Sequence, residues 1–509
     1  MLRVVSSVIV VIFFMNTIKC AEILAIFHSP PKSMHLGGVA LSEILAENEH
    51  NVTFVSSVEI SPPPQTFTHV FLDDVAQASG ESDKNHFNMN MNSYLQAYVH
   101  EYIGIGVSNA TIRNSKFKQL LKSKKFDLII MEAIYSDSLI FIAEYLNVPL
   151  LLYTSVDAFY VSNLFIGNYA PASFIPNLFT GYTSDMTFFQ RVDNLLISIA
   201  CYLLRYTIGI PTHDIIVKDN FRNAPHIAEY INKASVMLLN SDSSITEPVP
   251  LIPGMIDIGG FHIKKPKKLP RDLEELLNNS KHGVIYFSLG SLLQSSEMSN
   301  QTIKTLIEVF SKLKETVLWK WEDEELPEKP PNVIIKKWLP QNDILAHKNV
   351  KLFITHGGIH SLLEAVYHAV PCVMIPVFFD QKRNAKRAQS CGFAENINFE
   401  ELTSEKLELA VGKVLNNPKY AESVKKRSSI MRDKPLSPAE TLVFWVNYVI
   451  RHNGAHHLKV SSLKLAWYQY FLLDVSFFLA ACLIFSILLI KYLFQSMMGK
   501  RTTKKIKTK

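Results

Sequence analysis

At 509 residues and 48% hydrophobic, the chain is too long for one ordinary core and too apolar for a disordered segment, so two domains with appended segments are expected. Its formal charge is +6, but residues 491–509 hold seven Lys or Arg and no acid, which leaves the remainder close to neutral. A body of that kind gives no electrostatic basis for nucleic-acid binding.

In chain order, residues 1–20 carry one early cation at Arg3, an apolar run over 4–15 and a cleavage point after Cys20, the pattern of a secretory signal peptide. An N-terminal domain over 21–245 opens with a strand at 23–27, a Pro30-Pro31 turn, an apolar-periodic helix at 36–46 and a strand at 52–55. The same alternation returns as a strand at 127–131, a helix at 137–146 and a strand at 150–153. Residues 158–230 are aromatic-rich and irregular, with helices expected but not placed. Two Pro-rich passages mark a linker over 246–270.

The C-terminal domain over 271–450 shows a clearer rhythm. Strands are expected at 284–288, 317–321, 333–336, 352–355 and 372–375, and helices at 298–313, 342–346, 359–367 and from Gln381. Short apolar strands between helices imply parallel sheets covered on both faces, so the fold class is α/β with two facing doubly wound, Rossmann-like domains and a cleft between them. A juxtamembrane segment over 451–474 leads into an apolar run over 475–494, long enough to cross about 30 Å of hydrocarbon. The basic tail over 495–509 then falls on the cytosolic side, making the chain a single-pass, type I membrane protein with its domains lumenal. Sequons at Asn51, Asn109, Asn278 and Asn300 fit a lumenal body. Cys201, Cys372 and Cys391, the cysteines outside the two apolar ends, form neither a disulfide framework nor a zinc pattern, and no metal site is expected.

The chemistry-bearing residues lie between Ser288 and Gln381. Gly290-Ser291 follows one expected strand, and His356-Gly357-Gly358 follows another and opens a helix, the kind of N-terminus that binds a pyrophosphate. Trp338-Leu339-Pro340-Gln341 offers a flat indole able to stack on a planar base. Bland readings win elsewhere. His452, His456 and His457 read as a surface turn, Glu322 to Glu325 as a solvated loop, and the Gly104-Ile105-Gly106 fragment does not complete a dinucleotide fingerprint.

Together, Phe353-Ile-Thr-His356-Gly-Gly-Ile-His-Ser361-Leu-Leu-Glu364, then Pro371, Pro376 and Asp380-Gln381, resemble the UDP-glycosyltransferase family in its membrane-anchored arthropod style. The likeness continues through 281–291, 337–347 and 467–474, and the last five residues look like a dilysine-type retrieval signal for the endoplasmic reticulum. The resemblance implies the GT-B arrangement, with the acceptor on the first domain and the UDP-sugar on the second. It also implies an inverting transfer of a hexose, glucose by the arthropod likeness, to a small lipophilic acceptor in detoxification or conjugation, with UDP-sugar as co-substrate and no cofactor. By the same resemblance, Trp338 stacks on uracil and Gln341 and Glu364 take the ribose hydroxyls. Ser291, His356, Ser361 and the Gly358 backbone hold the diphosphate, and Asp380 and Gln381 bind the sugar. His360 stands where many members have Asn.

The family's base is a histidine at the start of the first helix, oriented by an acid at the position of Glu132 here. Counting back from His50 by the family interval lands on Met34, one residue before His35, and one residue on a helix is about 100° of rotation. Two readings follow. Either the Pro30-Pro31 turn absorbs the extra residue and His35 serves as the base with Glu132 behind it, or Met34 occupies the base position. In the second case the protein has narrowed acceptors, or is a silent nucleotide-sugar binder or partner subunit; His28 is a possible substitute. Homo- and hetero-oligomers are both left open.

Overall fold

In the computed structural model, residues 20–29, 31–78, 87 and 91–505 are described. The expected signal peptide, apart from Cys20, falls outside them, as do Pro30 and residues 506–509 of the tail. The chain divides into a compact unit ending at Leu458 and a second unit, Lys459–Lys509.

The first unit holds two parallel sheets. Seven strands, β1 (Glu22–Phe27), β2 (Asn51–Ser56), β3 (Thr68–Phe71), β4 (Leu128–Glu132), β5 (Leu150–Thr154), β6 (Val236–Leu239) and β7 (Met255–Asp257), pair in the order β3-β2-β1-β4-β5-β6-β7. Six more, β8 (Val284–Ser288), β9 (Thr316–Lys320), β10 (Val333–Lys336), β11 (Val350–Thr355), β12 (Cys372–Met374) and β13 (Ala394–Asn396), pair as β10-β9-β8-β11-β12-β13. The central strands β1, β4, β5, β6 and β8 are apolar along nearly their whole length and almost wholly buried, as two-sided coverage by helices requires. Strand order reverses between β1 and β4 and again between β8 and β11, and the crevice at the carboxyl ends of such strands is where a doubly wound sheet binds ligands.

Four strands escaped the sequence reading. β3 is four residues long and mostly half-buried, and β13 is three residues, two of them polar. β6 is a four-residue apolar run without alternation. β7 lies inside the expected linker, where Met255–Asp257 adds an edge strand between the two Pro-rich passages. In the irregular region, helices cover Tyr160–Ile166, Phe188–Leu204 and Ile210–Asn220, the last two joined by a π-helical turn at Arg205–Gly209. The helix Pro438–Arg451, placed with the second domain by its position in sequence, buries Leu442, Val446 and Val449 in the core under β1 and β2.

A charged contact links an element of the first sheet to a helix of the second. Asp157, just after β5, accepts hydrogen bonds from Arg383 and, at 2.6 Å, from Arg387, both on the helix Asp380–Ser390. Arg383 is only 1% exposed, so this pair works away from water. Burial by itself would raise the Asp157 carboxyl, but the two guanidiniums outweigh it and hold the group below its ordinary range. Of the sequon residues, Asn51, Asn278 and Asn300 are exposed, whereas Asn109 is half-buried within the helix Ser93–Arg113.

The second unit contains the helix Leu473–Lys505, whose stretch Leu473–Met497 is apolar, fully exposed and long enough to cross a bilayer.

Replacing Asp157 with Asn should leave two buried guanidiniums without a counter-charge, at a cost of about 3–5 kcal/mol. Thermal unfolding is the measurement, with Glu247→Gln as the milder control because Glu247 lies 3.7 Å from Arg387 and is more exposed. Because the folded-state pKa is depressed, the contribution is present above the unfolded carboxylate value of about 4 and is lost as pH falls through the lower folded value.

Candidate active site between the two sheets

A cavity of about 550 Å³ opens where the two switch points face each other. Its second-domain wall is built from short loops that leave β8 and β11. Gly290 and Gly357 adopt φ of +85° and +86°, which turns each chain sharply off its strand. A Cβ at Gly290 or at Gly358 would come within 2.6 Å of the His356 ring, so the small residues on either side are what let that imidazole lie between the two loops. Burial, helped by nearby Lys320, lowers His356 to about 4, so at neutral pH it is an uncharged ring that donates one N–H.

Gly358 caps the helix Ile359–Tyr367 with extended backbone and no side-chain acceptor, and no acid lies in the first turn. The helix therefore presents unpaired N–H groups and its positive end to the cavity. Ser361 sits in that first turn, and its Oγ accepts from Gln341 Nε2 at 3.0 Å. The same Gln341 nitrogen donates to Glu364 Oε2 at 2.6 Å, while Tyr286 OH donates to Gln341 Oε1 at 3.3 Å. Burial pushes the Glu364 carboxyl up to about 7, against the lowering effect of the Gln341 hydrogen bond. Trp338, 68% exposed, holds its indole at the cavity wall.

The Asp380–Ser390 helix begins after Phe379, a non-glycine residue at φ +49°. Such a backbone costs of order 1–3 kcal/mol and persists only where its surroundings enforce it. Its effect is to bring Asp380 and Gln381 onto the cavity. Gln381 Oε1 accepts from the backbone N–H of Val377 at 2.9 Å and of Phe378 at 3.3 Å, so the group it offers a ligand is its NH₂. Burial raises Asp380 to about 6 despite Arg383 and a 2.7 Å hydrogen bond from Asn384, and Asn384 also donates to the Gly357 carbonyl. Ser291, Trp338, Gln341, His356, Gly358, His360, Ser361, Glu364, Asp380 and Gln381 thus all line one cavity.

The first-domain wall differs from one of the two expectations. Met34, not His35, lines the cavity. His35 is buried on another face of the Lys32–Glu47 helix, its ring edge-on to Phe54 at 5.4 Å and 6.4 Å from His69, and burial lowers it to about 4. The helix begins at Lys32, directly after Pro31, so regular helical rotation carries His35 past the cleft. Glu132 is also outside the cavity lining. Its Oε1 accepts from the backbone N–H of Ile134 and of Ser155, both at 3.3 Å, and burial raises it to about 8, which keeps it protonated at neutral pH. His28 is buried against the Tyr135 carbonyl at 2.9 Å.

Three groups were missed by sequence reasoning. His100, on the Ser93–Arg113 helix, lines the cavity at 6% exposure with neither ring nitrogen hydrogen-bonded, and its ring packs 4.8 Å from Tyr135 and 5.6 Å from Phe179. Around it Val99, Ile103, Ile134, Val156 and Leu178 make an apolar pocket. His262, from the linker, stacks edge-on to His360 at 4.7 Å, and the His360 Nε2 lies 3.3 Å from Asn240 Nδ2 across the domain boundary. Lys320, at the end of β9, reaches the cavity and pairs with Glu322 at 2.7 Å. No motif surrounds any of them; each is an isolated residue that topology delivers.

The chain is similar to known proteins in sequence and in fold. The sequence matches the family described as UDP-glucoronosyl and UDP-glucosyl transferase over residues 14–508. It is 40% identical over 378 residues to "UDP-glycosyltransferase UGT5" of Dactylopius coccus, covering 74% of this chain and 72% of that one. "UDP-glucosyltransferase 2" of the same insect is 35% identical over 492 residues, 94% and 93% of the two chains, and mouse "UDP-glucuronosyltransferase 1-2" is 33% identical over 444 residues, 86% and 78%. Among solved structures, the glycotransferase of kitacinnamycin superposes with a TM-score of 0.56 at 17% identity, covering 86% of this chain and all of that one. Glycosyltransferase VinC in complex with dTDP gives 0.56 at 15% identity, 85% and all. The fold is GT-B, and the chain belongs to the UDP-glucuronosyl and UDP-glucosyl transferase family, enzymes that take a UDP-sugar and an acceptor.

Proposed function

We propose that this enzyme transfers a hexose, glucose by its likeness to the insect relatives, to a small lipophilic acceptor with inversion, on the lumenal side of the endoplasmic reticulum membrane. The observation that carries the donor half is the convergence of an exposed indole, a Gln–Glu pair, an uncapped helix N-terminus and an acid–amide pair on one cavity. In this reading uracil stacks on Trp338, and the ribose hydroxyls meet Gln341 and Glu364. The diphosphate sits on the Ile359–Tyr367 helix end with Ser291, Ser361 and His356, while Lys320 supplies a nearby cation. Asp380 and Gln381 hold the sugar hydroxyls. His360, tied to Asn240, borders the diphosphate end.

The reaction is one in-line displacement. The acceptor atom bonds to the anomeric carbon as the bond to the UDP oxygen breaks, UDP leaves with the electron pair, and the acceptor proton must go elsewhere. Met34 supplies no group to take it, and His35 with Glu132 stands outside the cavity. Acceptors are therefore narrowed to those whose nucleophile is already ionised, or acidic enough to lose its proton to solvent, with His100 hydrogen-bonding their polar end in the apolar pocket. Nucleotide-sugar binding without turnover is a second reading favoured by the same Met34.

Three outcomes test this. UDP affinity by calorimetry should rise with pH through about 7, because the ionised Glu364 is the better double acceptor and the group is protonated below that value in the free protein. Glu364→Gln should flatten that dependence and weaken binding by about 1.5–3 kcal/mol, the usual worth of hydrogen bonds to a charged group. In assays of UDP release, turnover over a series of phenols should climb steeply with acceptor acidity. Met34→His should raise turnover of a phenol of pKa ~10 by about 10²–10⁴-fold and flatten the series, whereas His35→Ala should leave it unchanged. No release with any acidic phenol, alongside intact UDP binding, would favour the silent binder. Finally, His100→Leu should raise KM for a polar-ended acceptor several-fold more than for its methyl ether, with kcat little changed.

A further inference from the structure

Behind the apolar pocket around His100 lies a group of buried charges that sugar transfer does not use. Glu101, beside His100 on the Ser93–Arg113 helix, is 5% exposed and lies 3.8 Å from Arg205, which is 1% exposed and pairs with Asp137. Three elements meet here: that helix, the π-turn Arg205–Gly209 and the single turn Asp137–Ile140. The π-turn turns Arg205 toward Glu101 and sets Gly209 where a Cβ would overlap Glu101 Oε1, so the backbone is shaped around this carboxyl.

Glu101, Arg205, Asp137 and His213 line a cavity of about 10 Å³, room for about one water. His100 and Tyr135 line both this cavity and the larger one, so a single layer of side chains separates the charges from the acceptor pocket. Both ring nitrogens of His100, Glu101 Oε1 and Arg205 Nε are buried without a hydrogen-bond partner. Buried polar atoms are normally paired, and orphans on both sides of this layer leave the pocket electrostatically open to the charges behind it. The titratable neighbours His100, His213, Cys201 and Tyr160 are uncharged at neutral pH: burial lowers both histidines to about 4, raises Cys201 to about 12 and pushes Tyr160 well above its ordinary value. Arg205 outweighs burial at Asp137 and holds that carboxyl below its ordinary range. Two carboxyls therefore face one guanidinium, and Glu101, pushed up to about 7 by burial against the pull of Arg205, is the one whose charge is free to change.

We propose that Glu101, set against Arg205 and Asp137, selects acceptors by the charge of the end that meets His100, accepting a neutral or cationic end and disfavouring an anionic one. This concerns the end remote from the nucleophile, and it rests on the acceptor reading given above. With Glu101 ionised the cell carries a net negative charge; with Glu101 protonated it carries none. A bound ammonium favours the ionised form and releases a proton from Glu101, whereas a bound carboxylate favours the protonated form and takes one up. Cation binding therefore tightens and anion binding weakens as pH rises through about 7. Arg205 offers an anion little, because Asp137 already neutralises it.

Proton exchange on binding tests the proposal. Full-length protein in detergent, saturated with UDP, is titrated by calorimetry near pH 7 with three phenols, each joined by a butyl chain to a carboxylate, a carboxamide or an ammonium. Comparison of buffers of low and high protonation enthalpy gives the protons exchanged. Relative to the carboxamide probe, the ammonium probe is expected to release, and the carboxylate probe to take up, at most about half a proton, since Glu101 is close to half-ionised there. The ratio of ammonium to carboxylate affinity should rise several-fold between about pH 6 and 8. Glu101→Gln keeps the shape of the side chain and leaves Arg205 paired with Asp137, and in it both the exchange and the pH trend should vanish. Equal proton exchange by all three probes in the unaltered protein overturns the proposal alone. An exchange that survives Glu101→Gln also overturns it, assigning the proton to Glu364 or Asp380. Failure of all three probes to bind the UDP-loaded protein removes the acceptor reading and the proposal with it.

Discussion

The arrangement depends on a carboxylate held by two arginines. Asp157 comes from the first sheet, Arg383 and Arg387 from a helix of the second, and the contact is buried where a counter-charge has no substitute in water. The helix that carries the arginines starts with Asp380 and Gln381, and its Asn384 donates a hydrogen bond to the Gly357 carbonyl in the loop after β11. Residues 380, 383 or 384, and 387 fall on one side of a helix, so a single rigid element fixes the gap between the two sheets and the position of Asp380 and Gln381 at the cavity together. The positive φ at Phe379 is tolerable because that clamp over-determines where the helix must begin.

With the gap fixed, the two walls are built in different ways. The second-domain wall is local: Gly290, His356 and Gly358 to Ser361 sit in loops or first turns right after strands, and Asp380-Gln381 opens the helix that follows β12 by a short loop, so each reaches the cavity near where the chain leaves its strand. The first-domain wall is assembled from distant pieces, Met34 from one helix, Val99 and His100 from another, Tyr135 after β4 and Leu178 from a loop. A wall of that second kind changes shape with any loop around it, which suits an acceptor side, while the first kind suits an invariant nucleotide.

That contrast decides what could be read from the sequence. The second-domain wall was legible because strand, glycine turn and helix start are adjacent in the chain, and the expected strands at 284–288 and 333–336 and the helix at 359–367 have the same bounds in the structure. Which of Met34 and His35 lines the cavity could not be read from the sequence, since it depends on where the helix begins, and it begins at Lys32, directly after Pro31, with Met34 on the cavity side. His100 and Asp157 were invisible: each is one ordinary residue whose meaning comes from partners more than thirty and more than two hundred positions away, Tyr135 and Arg383. β7 was hidden because prolines on both sides made Met255–Asp257 look like linker, although an edge strand tolerates such neighbours.

The electrostatics of the cavity give the last constraint. Burial lowers His100, His356 and His360 to about 4 and raises Glu364 to about 7 and Asp380 to about 6, so at neutral pH the imidazoles are uncharged while Asp380 is largely ionised, and the lining also carries Glu43, Asp343, the lysines Lys264, Lys265 and Lys267, and Lys320, which Glu322 partly offsets. In the reading proposed above, a diphosphate is met by neutral imidazole and hydroxyl donors, a helix end and nearby lysines, and charge growing on the departing UDP is met by dipoles already in place. The acceptor side has nothing equivalent, since Met34 is a thioether and His100 is held neutral by its aromatic surroundings and by Arg205. In the proposed reading, bond breaking is therefore assisted strongly and deprotonation of the nucleophile hardly at all. The burden of activation shifts from the protein to the acidity of the acceptor.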